Sequence, residues 1–225
     1  MTNDYETPFT KLIFNELPVE EMTIRARNFF KKMNKRRTTR HFSDKQVSRE
    51  LIEIAIKTAS TAPSGAHLQP WTFVAISNQI IKNKIREAAE LEEKKTYSER
   101  MPEAWSEVLR PLATDHIKEH LTDAPWLVVI FRQSKRKREN GKWAPTYYSQ
   151  ESCGIAAGLF IAAIHNMGLT TLTHTPSPMG FLKEILKRPE HEHAMLVMPI
   201  GYPKDNAKIP NLQRKPLDKI STFFE

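Results

Sequence analysis

Apolar residues recur along this chain with two periods, and the switch between them lays out its elements. Met22, Ile24, Ala26, Phe29 and Phe30 stand among charges between Glu20 and Lys32, a spacing that predicts a helix. Leu51, Ile52, Ala55, Ile56 and Ala59 share one face of a second predicted helix, Arg49 to Ser60, with Ser48 placed to cap it. Trp71 to Ile76 is a short apolar run and predicts a strand. Ser77 is placed to cap a third helix, Asn78 to about Lys95, which carries Ile80, Ile81, Ile85, Ala88 and Ala89.

The pattern then thins. Lys94 to Thr122 is highly charged, with a narrow stripe of Met101, Trp105, Val108, Leu109, Leu112, Ile117 and Leu121. Such a segment predicts helices lying across a surface, or a mobile lid over about 92–122, less stable than the core. Trp126 to Phe131 is continuously apolar and predicts a buried strand. Tyr147 to Met167 is apolar nearly all round and slim, through Gly154, Ala156, Ala157, Gly158, Ala162 and Ala163. It predicts a central helix, or one packed on a partner, closed by Gly168 as its C′ residue. Leu169 to Thr173 and Ala194 to Ile200 predict strands, and Phe181 to Lys187 a short helix. Tyr202 to Glu225 holds Pro203, Pro210 and Pro216 and predicts an extended arm. The expected architecture is α+β: one domain over 1–225, with helices around a small mixed sheet.

Composition narrows the function. The seven glycines, at 65, 141, 154, 158, 168, 180 and 201, cannot assemble a GxGxxG turn or a Walker loop. Cys153 is the single cysteine, which excludes an internal disulfide and any cysteine-rich zinc site. His191 and His193 share a side only in a strand and lack a third partner, so no metal site is expected. The net charge of +8 sits mainly in Lys31–Arg40 and Arg132–Lys142. The second cluster surrounds Asn140-Gly141, a turn signal, and reads as a solvated hairpin or loop tip rather than a nucleic-acid surface. Met1 to Glu21 is polar, with Pro8 and Pro18, and lacks the order of a signal peptide. The longest apolar run, Gly154 to Ile164, is shorter than the roughly 20 residues that span a bilayer. A cytoplasmic protein without membrane or nucleic-acid partners is expected.

Four groups of residues carry candidate chemistry. Arg36, Arg37, Thr38, Thr39 and Arg40 crowd three guanidiniums and hydroxyls together, the donor set for a phosphate or for a solvated basic helix end. Pro63, Ser64, Gly65 and Ala66 form a small-residue loop, where Pro63 and Gly65 are expected to set an unusual backbone path. Backbone N–H groups there can approach a flat ligand closely. Glu93 and Tyr97 are four apart on one helix face, and Lys118 follows. Together they can hold a zwitterion or simply solvate a helix. Thr173, His174 and Thr175 end the third strand, a usual place for ligand contacts. Arg214 stands in a lone basic pair before Pro216.

The segments RRTTR, TAPSGAHLQPWTFV, YSERM ending at Met101, Ile117-Lys118-Glu119, Tyr147-Tyr148, THTP, GYP and RKPLD resemble the iodotyrosine deiodinase branch of the FMN-dependent nitroreductase superfamily, from about Arg36 to Ile220. That resemblance implies a nitroreductase-like fold in an intertwined homodimer with FMN at the interface. It places Arg36, Arg37, Thr38, Thr39, Arg40 and Arg214 at the phosphate and ribityl end, Pro63, Ser64 and Gly65 along the flavin ring, and Thr173 and His174 at the cofactor. Thr175 would meet the flavin N5 edge as the catalytic hydroxyl. The Ala66 N–H would meet a substrate phenolate, and Glu93, Tyr97 and Lys118 would clamp a halotyrosine. The implied reaction is reductive dehalogenation by single-electron steps, with reduced nicotinamide or a reductase as electron source. A broad FMN nitroreductase for nitroaromatics or quinones is the alternative, since it shares the FMN site without needing the clamp. His174 and Ser177-Pro178-Met179 depart from the family pattern.

Overall fold

The computed structural model describes residues 9–225; the first part of the polar N-terminal stretch, Pro8 included, lies outside the described residues. The chain divides into two units, Met1–Lys35 and Arg36–Glu225. The first holds helix α1, Val19–Asn34, with Glu20 and Glu21 in its first turn and Lys31 and Lys32 in its last, charges that suit the helix dipole. Met22, Ile24, Phe29 and Phe30 are exposed on it.

The second unit is built on a four-stranded sheet. Strand β1 is Trp71–Ile76, β2 Trp126–Gln133, β5 Thr170–Thr171 and β6 Glu192–Gly201, in the order β1-β2-β6-β5. All three pairings are antiparallel. The parallel component expected of a mixed sheet is a single bridge, Thr38 to Thr171, at the β5 edge. A separate hairpin, β3 Lys135–Lys137 and β4 Trp143–Pro145, carries the basic Asn140-Gly141 turn.

Both faces of the sheet are covered, which is why β2 is continuously apolar. Val128, Ile130, Met198 and Ile200 pack with Ile52, Ala55 and Ala59 of α2 (Arg49–Ser60) and with Phe160 and Ile164 of α6 (Ser149–Asn166). Leu127, Val129, Phe131 and Val197 pack with Ile85 and Ala89 of α3 (Gln79–Lys95), Leu121 of α5 (His120–Asp123) and Leu182 of α7 (Gly180–Ile185). Between α3 and α5 run a π turn, Thr96–Arg100, and the short helix α4, Glu103–Leu109. Among the described residues no helix is long and apolar enough to cross a membrane.

Several boundaries differ from the sequence expectation for local reasons. Helix α3 is capped by Asn78, whose Oδ1 accepts the Ile81 N–H at 3.0 Å, and not by Ser77. Helix α6 begins at Ser149 because Tyr148 is left-handed (φ 48°) and its carbonyl already accepts the Ser152 N–H and hydroxyl. Strand β5 is cut to two residues. Its register with β6 is kept as far as the His174–Val197 bridge, which places Leu172 opposite Pro199, a residue with no N–H to give. On α6, Gly154, Ile155 and Gly158 are exposed, and a Cβ at either glycine would meet nothing within 4 Å. That strip is open.

Candidate functional site

The C-terminal arm returns along the segment that precedes α2. Ser43 N–H donates to the Tyr202 carbonyl at 2.9 Å and Lys204 N–H to the His41 carbonyl at 3.0 Å. Further along, the Arg37 guanidinium donates to the Pro210 carbonyl and Arg214 Nη2 to the Arg36 carbonyl at 2.8 Å. Arg214, 178 residues on from Arg36, is thus brought to the adjacent pair Arg36 and Arg37. Burial lowers the Arg36 pKa first, and the charges of Arg214 and Arg37 lower it further. Among the described residues none of Arg36, Arg37 and Arg40 forms an ion pair. Crowded cations are relieved by an anion, and forked guanidiniums suit a phosphate. Thr39 is different: it is buried, with its N–H on the Thr171 carbonyl, and serves the sheet edge.

Glu93, Tyr97 and Lys118 come together. Glu93 is in the last turn of α3, Tyr97 follows in the π turn, and Lys118 precedes α5. The backbone N–H of Lys118 donates to Glu90 Oε1 at 2.7 Å, and Glu90 is held by Arg86. Lys118 is 3% exposed. Its ammonium lies 3.3 Å from Glu93 Oε2, 3.4 Å from Thr114 Oγ1 and 5.5 Å from the centre of the Tyr97 ring, and it donates to the Asp115 carbonyl. Burial raises the Glu93 pKa, opposed by Lys118, and raises that of the Tyr97 phenol. The three line a cavity of about 190 Å³ together with Arg40, Met101, Trp105, Leu109, Thr173 and Thr175. A neighbouring cavity of about 530 Å³ shares Arg40 and Thr114 and reaches Thr38 and Pro210.

The strand end splits by face. Thr173 and Thr175 are exposed, whereas His174 between them is buried, as the period of two in extended backbone requires. The His174 N–H and carbonyl are both bonded to Val197 at 2.9 Å. The backbone polar groups of His174 are thus spent in the sheet, while its buried ring lies in the lining of the clamp cavity, as does that of His120. Its ring meets His120 edge to face, with centroids 5.1 Å apart and planes at 79°. Burial, helped by Lys118 and Arg40, pushes the His174 pKa down to about 3. Burial, His174, Lys118, Arg40 and Arg86 push His120 to about 2. Both rings are neutral. His120 stands in a charged run at the head of a four-residue helix, where nothing local in the sequence marks it as buried.

Pro63, Ser64, Gly65 and Ala66 line neither cavity. They pack on the start of α6: Gly65 N–H donates to Ser152 Oγ at 3.3 Å, and Ser64 Oγ accepts the Gln69 N–H at 2.9 Å. A Cβ on Gly65 would fall 2.9 Å from the Tyr147 carbonyl oxygen, so close approach is what demands glycine there. The unusual backbone path expected of this loop is there, carried by the left-handed Ala66 (φ 51°), His67 (φ 54°) and Gln69 (φ 47°). Non-glycine residues held this way concentrate at functional sites. His191 and His193 have partners in the fold: the His191 ring meets that of Trp143 at a tilt of 50°, centroids 4.6 Å apart, and His193 Nε2 meets Ser134 Oγ at 3.2 Å.

Comparison with known proteins agrees with this geometry. The nitroreductase family matches residues 33–202. The chain is 51% identical to an iodotyrosine deiodinase of Haliscomenobacter hydrossis over 196 residues, 87% of this chain and 88% of that one. It is 45% identical to iodotyrosine deiodinase 1 of Homo sapiens over 207 residues, 92% of this chain and 72% of the human protein. A crystal structure of oxidized iodotyrosine deiodinase bound to FMN and 3-iodo-L-tyrosine superposes with a TM-score of 0.75 at 26% identity, covering 87% of this chain and all of the other. With a guanidinium cluster, an acid–phenol–ammonium trio around the buried Lys118 and this similarity along most of its length, the chain belongs to the nitroreductase family, in its iodotyrosine deiodinase branch.

Proposed function

We propose that the chain is an FMN-dependent reductive dehalogenase of halogenated tyrosines. The observation that carries the substrate is the Glu93–Lys118 pair, its lysine buried and its carboxylate half-buried, with Tyr97 beside it. A buried ion pair is weak evidence for stability, because desolvation offsets its attraction. Here it stands at a cavity wall, already spaced for two opposite charges. An α-ammonium and an α-carboxylate can enter between the partners, so that one ion pair becomes two. Tyr97 adds a neutral hydroxyl, and Met101, Trp105 and Leu109 give the same cavity an apolar side.

FMN, when bound, supplies the electrons for carbon–halogen cleavage. Arg36, Arg37, Arg40 and Arg214 would hold its phosphate end. Thr173 and Thr175 present hydroxyls on the open side of the strand end, with Thr175 assigned the role of catalytic donor. The chain's contribution is to place the ring and the substrate, and to close over them with the segment at about 92–122.

We further propose a homodimer. The Pro63–Ala66 loop lies outside the cavity that holds the clamp, while the Gly154–Ile155–Gly158 strip of α6 is open. A second copy seated on that strip would bring its own loop to the flavin and offer the Ala66 N–H to the phenolate. Reduced nicotinamide or a reductase would recharge the flavin. The single cysteine, buried and with its thiol pushed up to about 11 by burial, suits a cytoplasmic setting.

The test is selective binding, read from flavin fluorescence of the holoenzyme. Replacing one internal ion pair by two ligand pairs adds roughly one charged contact, about 1.5–3 kcal/mol, so 3-iodotyrosine should bind tenfold to a hundredfold more tightly than 2-iodophenol. Glu93→Gln should narrow that gap. Equal affinity for the two ligands would refute an amino-acid substrate and favour a general nitroreductase.

A further inference from the structure

We propose that His120 and His174 are a positioning pair that couples the ammonium of the clamp to the hydroxyl at the strand end. The proposal rests on Lys118 and Thr175 acting as described above. The two histidines belong to opposite walls of the site. His174 is fixed on the sheet, since its N–H and carbonyl are both bonded to Val197. Thr175 is the next residue, facing the other way. His120 is the first residue of α5, two after Lys118, in a turn closed by the Leu121 N–H on the Lys118 carbonyl at 3.0 Å. Movement of Lys118 therefore moves His120, and a push on His174 reaches Thr175 through one peptide bond.

The rings are in direct contact, and each has an Nε2 atom that is buried without a hydrogen-bond partner. Buried polar atoms are nearly always bonded, so two orphans side by side have a shared remedy. Each neutral imidazole carries one N–H and one bare nitrogen, and one Nε2–H can donate to the other Nε2. Two ring radii of roughly 1.1 Å and a bond of about 2.9 Å give a centroid distance of about 5.1 Å. The observed separation is 5.1 Å, but the rings stand edge to face at 79° without that bond. Reorientation with little translation is enough to form it. When a zwitterion draws Lys118 off Glu93, the turn carrying His120 shifts, the imidazoles bond, and Thr175 is held in register. A ligand without the zwitterion leaves the pair open.

The pair is tested in the wild-type holoenzyme by nitrogen and proton NMR of labelled histidine. Saturating 3-iodotyrosine should produce a strongly hydrogen-bonded imidazole proton and shift both Nε2 resonances, while 2-iodophenol should not. In parallel, His120→Leu and His174→Leu should each lower the ratio of dehalogenation to nitro-group reduction at least fivefold, and the double variant no further. FMN affinity should hold. Histidine signals unmoved by bound iodotyrosine overturn the proposal, whether or not the variants fold. So does an unchanged activity ratio, or single effects that multiply in the double variant. A wild-type enzyme that fails to prefer iodotyrosine over iodophenol overturns the dehalogenase reading and the coupling with it. Preference with silent histidines overturns the coupling alone.

Discussion

Two buried neutral imidazoles make the stability of this protein depend on pH in a defined window. The ordinary histidine value is 6.5, and in the folded chain His174 is pushed to about 3 and His120 to about 2. The sign follows from proton counting. Below pH 6.5 the unfolded chain takes up a proton at each position and the folded chain does not, so unfolding is favoured as pH falls. At pH 5 each group is 1.5 units below its unfolded value, and at about 1.36 kcal/mol per unit that is about 2 kcal/mol. Both folded values lie well below 5, so the rings do not compete for a proton in this range and their contributions add to about 4 kcal/mol. The perturbation is the His120→Leu/His174→Leu double variant, which cannot titrate. The assay is urea unfolding of the holoprotein at fixed excess FMN, at pH 7 and pH 5. Wild type should lose about 4 kcal/mol more than the double variant over that interval, and each single variant should recover about half. Carboxylates and the FMN phosphate contribute equally to all four proteins and cancel. Parallel pH profiles for wild type and double variant would show that the imidazoles are not held neutral by the fold.

Three further outcomes are expected. Arg37→Ala should weaken FMN binding by roughly tenfold to a hundredfold, the worth of one charge-assisted contact, with little change for riboflavin, which lacks the phosphate; fluorescence titration reads both. Gly65→Ala should destabilise the protein by about 1–3 kcal/mol in urea unfolding, because its Cβ meets a backbone carbonyl that cannot swing away. Thr175→Ala should depress dehalogenation while nitro-group reduction persists, and a proportional fall in both would make Thr175 merely structural.

What the sequence made legible, and what it hid, divides along the range of the interactions. Helix α2 and strand β1 match their expected bounds because their signals are local: an apolar face of period 3.6, and a short run between Pro70 and a polar turn. The buried strand β2 was visible as an apolar run but runs on to Gln133, since Arg132 keeps pairing with β1 and β6 and Gln133 with β6. Strand β5 was overestimated because its interruption lies in Pro199, 27 residues away, and no window around Leu172 contains it. The site shows the same division. Glu93 and Tyr97 could be placed on one face from spacing alone, yet their pairing with Lys118 depends on Glu90 holding a backbone N–H across 28 residues. The burial of His174 could have been read from a local rule: between the exposed Thr173 and Thr175 in extended chain, it takes the opposite side. Its partner His120 could not, because an inward histidine at the head of a four-residue helix is indistinguishable in sequence from a solvated one. The two rings meet only when the sheet edge and the clamp are assembled, so any function of their contact belongs to the tertiary fold and leaves no motif.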